Sequence, residues 1–165
     1  MSNGHFLGGI GALVYSPVDE KYLLLRRSAE KDFASGAWEC VTGRVNQGEG
    51  FEEALRREVR EELGVEIQIE FVIGTTHFFR GAELPENELI GIVCCVTLEH
   101  PGSIRVSSEH SEHRWVTLAE ARDLLVDDRP TTRWILQILE RAETMLAITP
   151  PEQRDFYRQR GLELG

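Results

Sequence analysis

The stretch GRVNQGEGFEEALRREVREELGV, residues 43–65, constrains this chain more than any other. From Phe51 to Leu63 the apolar residues recur at helical spacing, and Gly64 stands where a helix C-terminus favours glycine. On a wheel of about 100° per residue with Phe51 at zero, Ala54, Leu55, Val59 and Leu63 occupy an arc from roughly −60° to +120°. That arc is the face that packs. Glu53, Arg56 and Arg60 fall opposite it, as a solvated face should. Glu58 and Glu62 do not: they land at about −20° and +20°, inside the apolar arc, with Glu61 flanking it at about −80°. Glutamate is rarely sent toward a buried face unless something pairs with it. Carboxylates spaced i, i+3, i+4 share neighbouring surface, and their repulsion pushes at least one pKa upward unless cations compensate. Arg57 can neutralise one charge from the side. An all-oxygen set of carboxylates and backbone carbonyls suits Mg2+ or Mn2+ rather than zinc.

The rest of the chain supplies a scaffold for such a helix. Its 165 residues contain no repeat or linker and are read as one domain over 1–148 with a polar tail at 149–165. Strands are expected in HFLGGIGALVYS and YLLLRR, joined by the turn PVDEK, and then in AWECV, VEIQIEFVIGTTHFF, ELIGIVCCVTLE and HRWVT. RGAELPENE reads as a polar loop. Thr117 and Glu120 have the spacing of a capping box ahead of the helix in TLAEARDLLV. TTRWILQILERAETMLA is an amphipathic helix with Trp134, Ile135, Ile138, Ala142 and Met145 on one side. Helices that separate groups of strands place the chain in the α/β class, with helices packed on a mixed sheet.

Charge narrows the function. With a net charge of −10 and no basic stripe, the surface should repel nucleic acid. It should also repel phosphorylated metabolites, unless a cation mediates. The longest apolar run, Leu89–Leu98, is too short to span a bilayer, so no membrane partner is expected. MSNGHFLGGIG lacks the pattern of a secretion signal, and three cysteines, Cys94 and Cys95 adjacent, read as free thiols. Both point to the cytoplasm.

The motif then permits a comparison. Gly43, five residues, Glu49, seven residues and REVREELGV resemble the complete signature box of the Nudix family, with the spacing intact. The Trp38-Glu39 pair before the box, the LLLRR strand and EHSEHRWVTLAEA extend the likeness to roughly residues 5–147. The resemblance implies an α/β/α sandwich around a mixed β-sheet. It implies metal binding by Glu58, Glu61 and Glu62 with the carbonyl of Gly43, and an arginine, Arg57, that orients Glu49 and Glu61. It further implies hydrolysis of a nucleoside diphosphate linked to another moiety, a nucleoside triphosphate included. Three departures stand out. Val41-Thr42-Gly43 replaces the common Pro-Gly-Gly and looks more like the dihydroneopterin triphosphate pyrophosphatase branch. Asn46 stands where a glutamate is common, removing a ligand that some members use. Gly50 replaces the Ser or Thr usual at the helix start, at a cost of only a few tenths of a kcal/mol.

The general base stays open between Glu58 or Glu61 on the helix and Glu109 or Glu112 in SSEHSEH, with Glu58 favoured. His110 and His113 lack a third ligand for zinc and read as surface histidines. Arg27 (or its neighbour Arg26) is a candidate phosphate clamp and Glu39 a substrate contact. Phe79, near His77 and Phe78, offers a ring on which a base could stack, while Trp38 reads as core. The partner expected is a nucleotide or nucleotide derivative, and a homodimer is left open. The competing reading is a non-catalytic nucleotide-binding module of the same fold. An isomerase related to the family would need a protonating cysteine, for which Cys40 beside Glu39 is the sole candidate.

Overall fold

Alternating apolar residues drive a mixed sheet through the middle of the molecule. The computed structural model describes residues 4–30 and 34–165. Residues 1–3, where the segment read for a secretion signal begins, lie outside them. The strands are β1 (Leu7–Ser16), β2 (Lys21–Arg27), β3 (Trp38–Glu39), β4 (Val41–Arg44), β5 (Ile67–Phe79), β6 (Glu88–Leu98) and β7 (His110–Val116). The helices are α1 (Phe51–Leu63), α2 (Leu118–Leu124), α3 (Pro130–Ile148) and α4 (Pro151–Arg160). The sheet path is β3-β2-β1-β6-β5, with β4 also on β1 and β7 also on β2. β1 and β6 are parallel and every other pairing is antiparallel.

β1 shows why two helical layers are needed. Leu13 joins one core, with Trp38, Phe71 and Ile135, under α2 and α3. Its neighbours Ala12 and Val14 join the other, with Leu55, Val59 and Leu63 of α1. Side chains alternate across a strand, so both faces are covered and the α/β/α sandwich follows. Ile135, Ile138 and Ala142 of α3 are buried as the stripe requires, while Trp134 and Met145 pack at its margin. The Thr117–Glu120 capping box is formed in both directions. α1 ends at Gly64 in the left-handed region (φ 70°), where a Cβ would be strained. Among the described residues no helix is long and apolar enough to cross a membrane. Cys40, Cys94 and Cys95 are buried and unbridged.

β7 begins at His110, ahead of the HRWVT segment expected as a strand, because pairing with β2 extends it backwards. The polar segment 149–165 contains α4, which packs on β5.

Candidate active site

β4 delivers the chain to the acidic helix by a tight route. Gly43 lies on β4 directly beneath α1, and a Cβ there would sit 2.0 Å from Glu58 Cδ. Only glycine lets the Glu58 carboxylate lie against this backbone. The turn that follows is closed by Asn46 N–H to Glu49 Oε2 at 2.8 Å and Glu49 N–H to the Asn46 carbonyl at 3.1 Å. It presents Glu49 to Arg57, whose Nε and Nη2 donate to the two carboxylate oxygens at 2.7 and 2.9 Å. Arg57 also donates to Glu58 Oε1 at 2.7 Å and to the Arg44 carbonyl at 2.8 Å. Glu61 receives a longer contact of 3.4 Å and stays exposed. Arg57 therefore orients Glu49 and Glu58 first, and Glu61 only marginally. This paired guanidinium holds the Glu49 carboxyl down at about 2.

Glu62 has no such support. Its side chain is 8% exposed, and Oε2 has no hydrogen-bond partner. Burial, then the charges of Glu39, Glu58 and Glu109, push its carboxyl up to about 9. The Glu58 carboxyl is likewise raised, by burial first, while Arg57 and a backbone hydrogen bond from Arg44 oppose the rise. Leu55, Val59 and Leu63 are fully buried beside these acids. At about 1.5–3 kcal/mol per buried aliphatic side chain, they can hold the helix down against the desolvated charge.

Glu39 lies behind Glu62. It accepts from Arg27 Nη1 at 2.9 and 3.1 Å and from Thr42 Oγ1 at 3.2 Å. His110 Nε2 stands 3.1 Å from Glu39 Oε1 and 3.8 Å from Glu62 Oε2. His110 is buried, which corrects its reading as a surface histidine; His113 is exposed. Glu112 also departs from expectation. A bulge between Arg26 and Arg27 pairs Arg27 with His110 but Arg26 with Glu112. Adjacent strand residues face opposite ways, so Glu112 leaves the face that His110 occupies. It is held outside by Arg26 at 3.5 Å and Arg114 at 2.6 Å. Glu109, one residue before the strand, is the carboxylate of this segment that reaches the cavity.

Glu58, Glu62 and Gly43 line one side of a cavity of about 760 Å³, with Arg27 and Glu39 beside them. Arg44, Arg80 and Arg129 also border it. Partial burial, then the charges of Arg44 and Arg27, lower the Arg80 pKa, so three guanidinium groups act on one region. Phe79 lines the cavity, half-buried, with the His77 ring edge-on at 5.8 Å. Trp38 is both core and cavity wall. Arg80, Arg129 and Trp134 were not singled out as site residues in the sequence. Trp134 was visible only as a member of the α3 stripe, yet its Nε1 donates to Thr76 Oγ1 at 3.1 Å beside the cavity. Cys40 is fully buried in the core and does not border the cavity, so it is out of reach as a proton donor for an isomerase.

The donor set suits a hard divalent cation. It consists of oxygen ligands, and Glu62 Oε2 is a buried carboxyl oxygen without a hydrogen-bond partner. Among the described residues no three acidic, histidine or cysteine side chains already converge in ligating geometry.

Comparisons with known proteins agree with this geometry. Residues 6–135 match the NUDIX domain family. The chain is 30% identical over 125 residues to the nucleoside triphosphatase NudI of Escherichia coli O139:H28, covering 70% of this chain and 87% of that protein. The crystal structure of the MutT protein from Methanosarcina mazei Go1 superposes with a TM-score of 0.67 at 27% identity, covering 87% of this chain and 99% of that one. The Escherichia coli dihydroneopterin triphosphate pyrophosphohydrolase superposes at 0.60 with 22% identity, covering 81% and 92%. That last likeness is one of fold.

Proposed function

This chain belongs to the Nudix family of hydrolases, and on that premise we propose that it hydrolyses a nucleoside triphosphate or a related nucleoside diphosphate derivative at a phosphorus–oxygen bond. The observation that carries the reading is the buried Glu62 carboxylate, unpartnered at Oε2, beside Glu58 on the wall of a cavity bordered by arginines. Glu58, Glu61, Glu62 and the Gly43 carbonyl would hold Mg2+ or Mn2+. When bound, the ion neutralises charge on the phosphates and eases deprotonation of the attacking water.

The protein's own side chains do the remaining work. Arg57 locks Glu49 and Glu58 in place, so the acids do not reorganise as charge develops. Glu58, with its carboxyl raised by burial, takes the proton as a water oxygen bonds to phosphorus and the opposite phosphorus–oxygen bond breaks to a phosphate or pyrophosphate leaving group. Arg44 and Arg80 bind phosphate oxygens, with Arg129 held at the cavity wall by Asp127 at 2.7 Å, while Trp38, Phe79 and Trp134 provide apolar and aromatic surface for the base. Arg27 is committed to Glu39, so its part is to hold that carboxylate rather than to clamp phosphate.

The test is phosphate and pyrophosphate release from a panel of nucleoside triphosphates and diphosphate derivatives with Mg2+, beside Glu58→Gln and Glu62→Gln. Turnover of one class that both variants and a chelator abolish is the expected result. Ligand binding without metal-dependent turnover on any compound would instead establish a binding module.

A further inference from the structure

The acidic helix lacks a local cap. Its N-cap residue, Gly50, has extended backbone and no side-chain hydrogen bond to offer. Four amides at a helix N-terminus need partners, and Ser, Thr, Asp or Asn normally supplies one. Here the partner comes from the far end of the chain. Glu163 Oε1 accepts the Phe51 N–H at 2.6 Å. A Cβ on Gly50 would lie 2.2 Å from Glu163 Oε2, so the bare backbone and the incoming carboxylate occupy complementary space.

A second contact lies one residue along in each segment. Glu52 Oε2 accepts the Leu162 N–H at 2.9 Å while Glu52 Oε1 accepts from Arg56 Nη2 at 2.8 Å. Partial burial raises the Glu52 carboxyl, but these two donors outweigh it and the pKa falls below its ordinary value. Gly161 makes the approach with φ 71°, and a Cβ there would lie 2.2 Å from Glu52 Oε2. The segment is anchored further back. Arg158 of α4 donates to both oxygens of Glu70, at 2.8 and 2.7 Å, and Thr97 Oγ1 donates to Glu70 Oε1 at 2.8 Å. Glu70 is the residue left between register positions where β5 bulges, and it is 1% exposed. Truncating a buried, hydrogen-bonded charge leaves its partner exposed to the full desolvation penalty, so this is a strong fixing point.

We propose that residues 158–163 form a clamp that caps α1 from a distance and fixes its first turn, with Glu163 as a positioning residue for the acids carried farther along the helix. The carboxylate also stands at the positive end of the helix dipole. The functional consequence rests on the proposed function; the cap itself does not.

The test is a double-substitution cycle in the full chain. Glu163→Ala should speed hydrogen exchange at the Phe51 amide about five- to tenfold and lower Tm by about 2–4 °C, while Glu163→Gln, which keeps an acceptor, should retain most of the protection. Gly50→Ser brings its own cap but evicts Glu163, so alone it should change little; in the Glu163→Ala background it should restore Tm. Mn2+ affinity, read by calorimetry, should weaken severalfold in Glu163→Ala and return in the double variant. Unchanged Phe51 exchange in Glu163→Ala would overturn the clamp, as would equal stabilisation by Gly50→Ser in both backgrounds. A proven cap with Mn2+ affinity unmoved would overturn the positioning role. Failure of the unaltered chain to bind Mn2+ would instead sink the metal reading, with the exchange cycle still deciding the clamp.

Discussion

Glu62→Gln separates the requirements of folding from those of catalysis at a single atom. An ordinary glutamate titrates near 4.5, whereas burial and the neighbouring Glu39, Glu58 and Glu109 hold this carboxyl at about 9. Because the folded value is raised, the associated stability is fully present below pH 4.5 and is lost as pH climbs toward 9. At about 1.4 kcal/mol per pH unit, the loss by pH 7 is of the order of 3 kcal/mol. Gln keeps the shape and has no proton to take up on folding. In EDTA at pH 7 the variant should therefore melt about 6–12 °C above the unaltered chain, at roughly 2–4 °C per kcal/mol for a chain of this size. At pH 5 the two should nearly coincide. Saturating Mg2+ should reverse much of the difference, since an ion at a hundred times its dissociation constant contributes about 2.7 kcal/mol to a chain that binds it and nothing to one that does not. Thermal melts by circular dichroism at pH 5, 6, 7 and 8, with and without Mg2+, decide the matter. The reasoning is refuted if Glu62→Gln is the less stable protein in EDTA at pH 7, or if Mg2+ stabilises both equally.

Three further outcomes follow from the same network. Gly43→Ala places a Cβ 2.0 Å from Glu58 Cδ; the flexible glutamate swings aside, so the protein should fold while turnover falls about 100-fold. Arg57→Lys cannot span Glu49, Glu58 and the Arg44 carbonyl at once, and activity should drop about 10- to 100-fold in steady-state assays with little change in far-ultraviolet circular dichroism. Glu49 has a depressed carboxyl, so its contribution is present above pH 4.5 and lost as pH falls toward 2. Acid titration of Glu49→Gln, followed by tryptophan fluorescence, should show a flatter loss of stability across that window.

What could be read from the sequence was local. The boundaries of α1, its left-handed stop at Gly64, the Thr117–Glu120 box and the α3 stripe depend on neighbours within a turn or two. Glu62 was legible because a charge on an apolar arc contradicts the pattern around it. The misplaced residues depend on pairing between distant segments. A single bulge opposite Arg26 and Arg27 decides that His110 faces the acids and Glu112 does not, and no periodicity in EHSEH announces it. Arg80 and Arg129 meet at one cavity from the end of β5 and the start of α3. Glu163 reaches Phe51 across 112 residues, and an isolated Gly50 at a cap position is the nearest thing to a signal.

On the proposed function, the charge distribution explains how a chain with a net charge of −10 would accept a polyanion. Glu39, Glu58, Glu62 and Glu109 border the cavity together with Arg27, Arg44, Arg80 and Arg129. Arg27 is spent on Glu39 and Arg57 on Glu49 and Glu58, which leaves Glu62 without a guanidinium partner in hydrogen-bond reach. A fold selected for stability alone would replace such a carboxyl with an apolar residue like Leu55 or Val59 beside it. Its presence makes sense if a bound cation supplies the missing charge, and then the same ion that relieves Glu62 would also present positive charge to phosphate. On the proposed function, stability and substrate binding would be coupled through one oxygen atom, and the chain's net negative charge would favour entry only of anions that the ion and the arginines can both reach.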